Sequence, residues 1–153
     1  METIASFTID HDKLEKGVYV SRIDGDVITY DIRMKKPNAG DYLSNGAMHT
    51  FEHLFATYAR NSKYASDVLY IGPMGCRTGF YLLMRDTTDY ASVIDMLKES
   101  FAFIRDYEGE IPGSKKSQCG NYLEHDLEGA KVVALDMLNV LEFWKPESMA
   151  YLS

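Results

Sequence analysis

A change of hydrophobic period at Ser44-Asn45-Gly46 constrains this chain more than any other feature of its sequence. Downstream, Met48, Phe51, Phe55 and Tyr58, with Leu54 beside them, recur at three- and four-residue spacing as far as Asn61. That is the period of a helix with one apolar face, and Ser44 or Asn45 is a suitable N-cap. Upstream, Val18–Ile23 and Val27–Arg33 are β-branched and aromatic and flank Asp24-Gly25-Asp26, the pattern of a hairpin. A helix with a stripe of large side chains and a hairpin with an apolar face bury most surface by packing on each other.

The rest of the chain extends this arrangement. Val68–Ile71 and Phe80–Met84 read as strands, and the intervening Gly72–Gly79 is too rich in Gly and Pro for a helix or a central strand. A second helix is expected from near Thr88 to before Gly109, with Val93, Ile94, Leu97, Phe101 and Ile104 on its apolar face. A polar loop, Pro112–Ser117, leads into Gln118-Cys119-Gly120. A last helix is expected from an N-cap around Asp126 through Trp144, stopped by Pro146. With 153 residues, 46% of them apolar, the chain can build one continuous core. The expected fold is therefore α+β, an antiparallel sheet packed against helices in a single domain spanning 1–153.

Several function classes lose ground on composition alone. A net charge of −7 opposes the phosphate neutralisation on which nucleic-acid affinity depends, so no nucleic-acid partner is expected. No apolar run approaches the roughly 18 residues of a membrane span, so no membrane partner is expected either. Early acidic residues and the absence of a basic-then-apolar leader point to a cytoplasmic protein, with both cysteines reduced. A small polar molecule is the expected ligand.

The sharpest chemical motif is His49-Thr50-Phe51-Glu52-His53. Four residues apart on a helix, the two imidazoles project about 40° from each other and can converge on one ion, while Glu52 on the adjoining face can act as a general acid or base. Cys119, between Gln118 and Gly120, is the candidate third ligand, because glycine lets backbone approach an ion closely. A thiolate with two imidazoles suits one divalent transition metal, Fe(II), Co or Zn, and leaves a coordination position open. Glu124 and His125 rank as lower rivals, since both sit where a helix N-cap uses polar side chains. Cys76, on a tight turn beside Arg77, has the setting of a reactive thiol able to shuttle protons or attack as a nucleophile. Each feature also has a plain structural reading, as a solvated histidine pair or a buried thiol. A metallopeptidase, or a metal-binding and thiol-sensing module without turnover, would use the same residue types.

Taken together, Ala47–Phe55, Gly72–Leu82 and Gln118–Gly120 resemble the S-ribosylhomocysteine lyase (LuxS) family, three separate motifs in the right order. Ser6-Phe7, Asp10-His11, Asp31-Ile32-Arg33 and His125–Lys131 add to the likeness, which leaves out only the last dozen residues. The resemblance implies His49, His53 and Cys119 as metal ligands with Fe(II) expected, Cys76 and Glu52 as the acid-base pair, and Ser6, His11 and Arg33 as substrate-binding residues. It implies a homodimer with active sites at the subunit interface. The implied substrate is S-ribosylhomocysteine: its carbonyl migrates from C1 to C3 before β-elimination releases homocysteine and 4,5-dihydroxy-2,3-pentanedione, the precursor of a quorum-sensing autoinducer. This sequence departs from the family at Tyr70 and Gly72, where an aspartate and a serine are usual, and in a short stretch between His11 and Arg33.

Overall fold

In a computed structural model that describes residues 1–151, the hairpin expected from the N-terminal strands is present as β1 (Gly17–Asp24) and β2 (Val27–Arg33). Two further strands, β3 (Val68–Pro73) and β4 (Gly79–Arg85), complete a four-stranded antiparallel sheet in the order β1-β2-β4-β3. Residues 152–153 of the expected 1–153 domain lie outside the described residues. β3 runs two residues further than its apolar pattern, through Gly72 and Pro73, with Pro73 opposite Phe80. It is an edge strand, where the N–H that proline lacks is not needed by the ladder.

Three helices cover one face of the sheet: α1 (Asn45–Ala59), α2 (Tyr90–Arg105) and α3 (Leu127–Leu141). Each starts at a side-chain cap, Ser44 accepting from the Ala47 N–H, Asp89 from Ser92 and Asp126 from Gly129. Thr88, the expected start of the second helix, is held outside it because its hydroxyl donates to Asp67. The last helix stops at Leu141 instead of reaching Trp144. There the Trp144 indole N–H donates to the Val18 carbonyl (3.1 Å) and its ring fills the space over Gly17 that a side chain would occupy, which draws the backbone out of the helix towards β1.

The core lies between sheet and helices. Phe51, Phe55, Phe80 and Phe101 are fully buried and pack ring on ring, with centroids 5.3 Å to 6.5 Å apart. Each such side chain contributes about 1.5–3 kcal/mol relative to an exposed one. The strand alternation that sends Ile32 and Phe80 into this core sends Asp31, Arg33 and Tyr81 to the opposite sheet face. α1 therefore presents the imidazoles on one side of the molecule's helical layer, and β2 and β4 present polar groups on the far side of the sheet. Among the described residues no helix is long and apolar enough to cross a membrane.

Candidate metal centre and adjoining cavity

The donor atoms of His49, His53, Cys119 and His125 lie within 4.8 Å of one another. α1 supplies the first two from adjacent turns, and the loop before α3 supplies the others. The two helical histidines are oriented by backbone carbonyls: His49 Nδ1 meets Glu124 O at 2.8 Å and His53 Nδ1 meets Pro112 O at 2.8 Å. A carbonyl only accepts, so Nδ1 carries the proton in both rings and each Nε2 lone pair is left for an ion. Cys119 Sγ is 3.3 Å from His49 Nε2, close enough to share one.

His125 is placed in the cluster although its position beside a helix N-cap ranked it low. Its Nδ1 meets Thr50 Oγ1 at 2.9 Å, and that oxygen also accepts from the Asp126 N–H. Its Nε2 is buried without a hydrogen-bond partner. Burial first, and then the neighbouring His49 and His53, push the His125 pKa down, which favours the neutral ring. The ring nevertheless stacks on His49, with centroids 4.0 Å apart and planes 19° from parallel. In this rotamer His125 walls the centre. The soft sulfur and the two freed imidazole nitrogens together make a donor set that fits one divalent transition metal, with the unpartnered His125 Nε2 buried beside them. A spacing of six residues from Cys119 was the only sequence signal for His125.

The second constellation lies across the sheet. Ser6, His11, Arg33 and Cys76 line one cavity of about 470 Å³, closed by Phe7, Tyr42 and Tyr81. The shortness of the stretch between His11 and Arg33 does not keep them apart. His11 Nδ1 is 2.8 Å from Ile9 O, and since a carbonyl only accepts, Nδ1 carries the proton. Cys76 is exposed, its sulfur 3.0 Å from Thr78 Oγ1. The guanidinium beside it is not the expected one: Arg77, at φ 60°, donates to Leu43 O at 3.2 Å and lies over the Tyr42 ring. It is Arg33 that donates to Thr78 Oγ1, at 2.8 Å, while pairing with Asp31 at 2.7 Å. Both charges of that pair are buried, and although burial by itself lowers the Arg33 pKa, its hydrogen bond to Asp31 and that carboxylate's charge raise it overall. Thr78 was not singled out in the sequence; its place two residues after Cys76 was the available signal.

Glu52 stands apart from Cys76. It lines a shallower depression of about 260 Å³ with His49, Met48, Asn121 and Glu124, and Pro73 is the one residue bordering both hollows. Within one chain, then, Glu52 and His49 border one hollow, and Cys76 with Ser6, His11 and Arg33 lines another.

Residues 4–147 match the S-ribosylhomocysteinase (LuxS) family. This chain belongs to that family. It is 48% identical over 157 residues to the S-ribosylhomocysteine lyase of Phocaeicola vulgatus, covering 99% of this chain and 98% of that one. It is 48% identical over 144 residues to the enzyme of the same name from Clostridium beijerinckii, 91% of either chain, and 44% identical over 156 residues to that of Borreliella afzelii, 99% of either chain. All eight candidate residues lie inside the LuxS-matching region, and Tyr151 lies beyond it. The two departures from the LuxS pattern are coupled, because the Tyr70 phenol lies where a side chain on residue 72 would be, so that Gly72 makes room for it.

Proposed function

We propose that this chain is an S-ribosylhomocysteine lyase, cleaving S-ribosylhomocysteine into homocysteine and 4,5-dihydroxy-2,3-pentanedione. The observation that carries the reading is the convergence of two imidazole Nε2 atoms, each freed by a carbonyl on Nδ1, with the Cys119 thiol. His49, His53 and Cys119 hold the ion, Fe(II) being the expected one. When bound, the ion supplies a Lewis acid for the carbonyl and neighbouring hydroxyl oxygens of the open-chain ribose. Cys76 and Glu52 move the protons as the carbonyl passes from C1 to C2 to C3. With the carbonyl at C3, removal of the C4 proton breaks the C5–S bond, and the electron pair leaves on the homocysteine sulfur. Arg33, His11 and Ser6 bind and orient the substrate from the cavity wall.

Carbonyl migration needs both proton-handling groups at one substrate, yet Glu52 and Cys76 border different hollows of a single chain. A homodimer that lays one subunit's Cys76 cavity against the other's metal centre satisfies this requirement, and we assign the active sites to that interface in a cytoplasmic enzyme. The test combines elemental analysis with release of free thiol from S-ribosylhomocysteine by the metal-loaded protein. About one transition-metal ion per chain together with turnover is the expected result. Metal without thiol release overturns the assignment in favour of a binding or sensing module.

A further inference from the structure

The chain beyond α3 crosses the edge of the sheet and reaches the buried ion pair at Tyr151. Trp144 is pinned to the edge strand β1 through Val18 O, and its ring meets Tyr19 edge-on at 5.7 Å. A short turn, Pro146–Met149, buries Met149. Tyr151 then stacks on the other side of Tyr19, with centroids 5.1 Å apart and planes 18° from parallel, and its hydroxyl donates to Asp31 Oδ2 at 2.7 Å. The segment has thus passed from the helical side of the sheet to the face that carries Asp31.

From Asp31 the bonds continue without a gap to the reactive thiol. The carboxylate accepts Arg33 Nε at 3.1 Å on Oδ1, and Arg33 Nη2 at 2.7 Å together with the Tyr151 hydroxyl on Oδ2. Arg33 Nη1 donates to Thr78 Oγ1, which sits 3.0 Å from Cys76 Sγ. With one lone pair taken by Arg33, the Thr78 hydroxyl keeps its own proton to offer the sulfur. A carboxylate this buried requires every one of its donors, because an unmet acceptor costs its full desolvation.

We propose that Tyr151 is a positioning residue: through Asp31, Arg33 and Thr78 it holds the Cys76 thiol in working geometry, so that the C-terminal segment, which runs past the end of the family match at residue 147, is part of the active site's support. Burial first, and then the charge of Asp31, raise the Tyr151 pKa above its ordinary value, and Tyr19 and Tyr81, the register partners of Asp31, are raised as well. The carboxylate is therefore ringed by neutral phenols and one guanidinium, and the Tyr151 proton stays available for donation.

This proposal rests on Cys76 serving the lyase reaction, so its test has an arm independent of turnover. In full-length, metal-loaded protein, Tyr151→Phe keeps the ring on Tyr19 and removes only the hydroxyl. At fixed pH the rate of Cys76 alkylation by iodoacetamide, resolved from Cys119 by peptide mapping, is expected to fall about threefold, and kcat for thiol release about tenfold, with KM within about twofold. Tyr151→Ala should show the same chemical losses together with a lower melting temperature. A Tyr151→Phe protein that alkylates and turns over like the parent overturns the proposal and leaves Tyr151 a packing residue. If the parent releases no thiol, the lyase reading fails instead, and an unchanged alkylation rate in Tyr151→Phe still overturns the positioning role.

Discussion

The metal centre and the Cys76 cavity hold their polar groups by opposite means. At the centre, imidazole rings are oriented by single bonds to backbone carbonyls, so the geometry is set by the main chain of α1 and the loop before α3. In the cavity, a fully buried ion pair orients a hydroxyl and a thiol, so the geometry depends on charge. Carbonyl locks suit a centre that must present lone pairs to an ion without competing for it. A charge-held network suits the proton transfer proposed for Cys76, since the guanidinium stays cationic throughout.

The two regions are expected to separate most sharply at Cys119. Cys119→Ala is expected to drop bound metal from about one ion per chain to below about 0.1 by elemental analysis, while Cys76 alkylation keeps its parent rate. Alkylation that slowed in parallel would show the two halves to be one cooperative unit. Asp31→Asn attacks the other half: Arg33 keeps its charge without a buried counter-charge, and a loss of about 3–5 kcal/mol in denaturant-measured stability is expected, with metal content unchanged. Thr50→Val acts more gently, removing the partner of His125 Nδ1 and of the Asp126 N–H. Metal affinity measured by chelator competition should fall about tenfold, with Cys76 again unaffected.

The smallest effect is expected from pH. Burial, followed by the charge of Asp31, raises the pKa of Tyr81 above its usual 10.0. Above about pH 10 the unfolded phenol has lost its proton and the folded one has kept it, so the stability is fully present below that pH and declines as pH rises through the folded value. Unfolding midpoints taken at rising alkaline pH should show this decline, and Tyr81→Phe should make it shallower, the share of the other raised phenols, Tyr19 and Tyr151 among them, remaining.

Much of this was legible in the residues because it depends on neighbours along the chain. Helical spacing at Met48, Phe51 and Phe55 marks α1, and the i, i+4 placement of His49 and His53 puts both rings on one face whatever packs around them. The hairpin, the caps at Ser44 and Asp126 and the turn at Cys76 are equally local. The early end of α3 was not legible, since it follows from an indole reaching a strand 126 residues away in sequence. Arg77 was misjudged for a related reason: adjacency to Cys76 says nothing of direction once the backbone turns left-handed.

Residue types and short periodic spacings, set by backbone geometry, already name the kind of chemistry available to this chain. Packing of the folded chain chose which guanidinium bonds Thr78 beside Cys76, stacked His125 on His49, turned Glu52 and Cys76 to different hollows and brought Tyr151 to Asp31. Those pairings join groups distant in sequence or turned apart by the backbone, and burial of one shared core is what chooses among them.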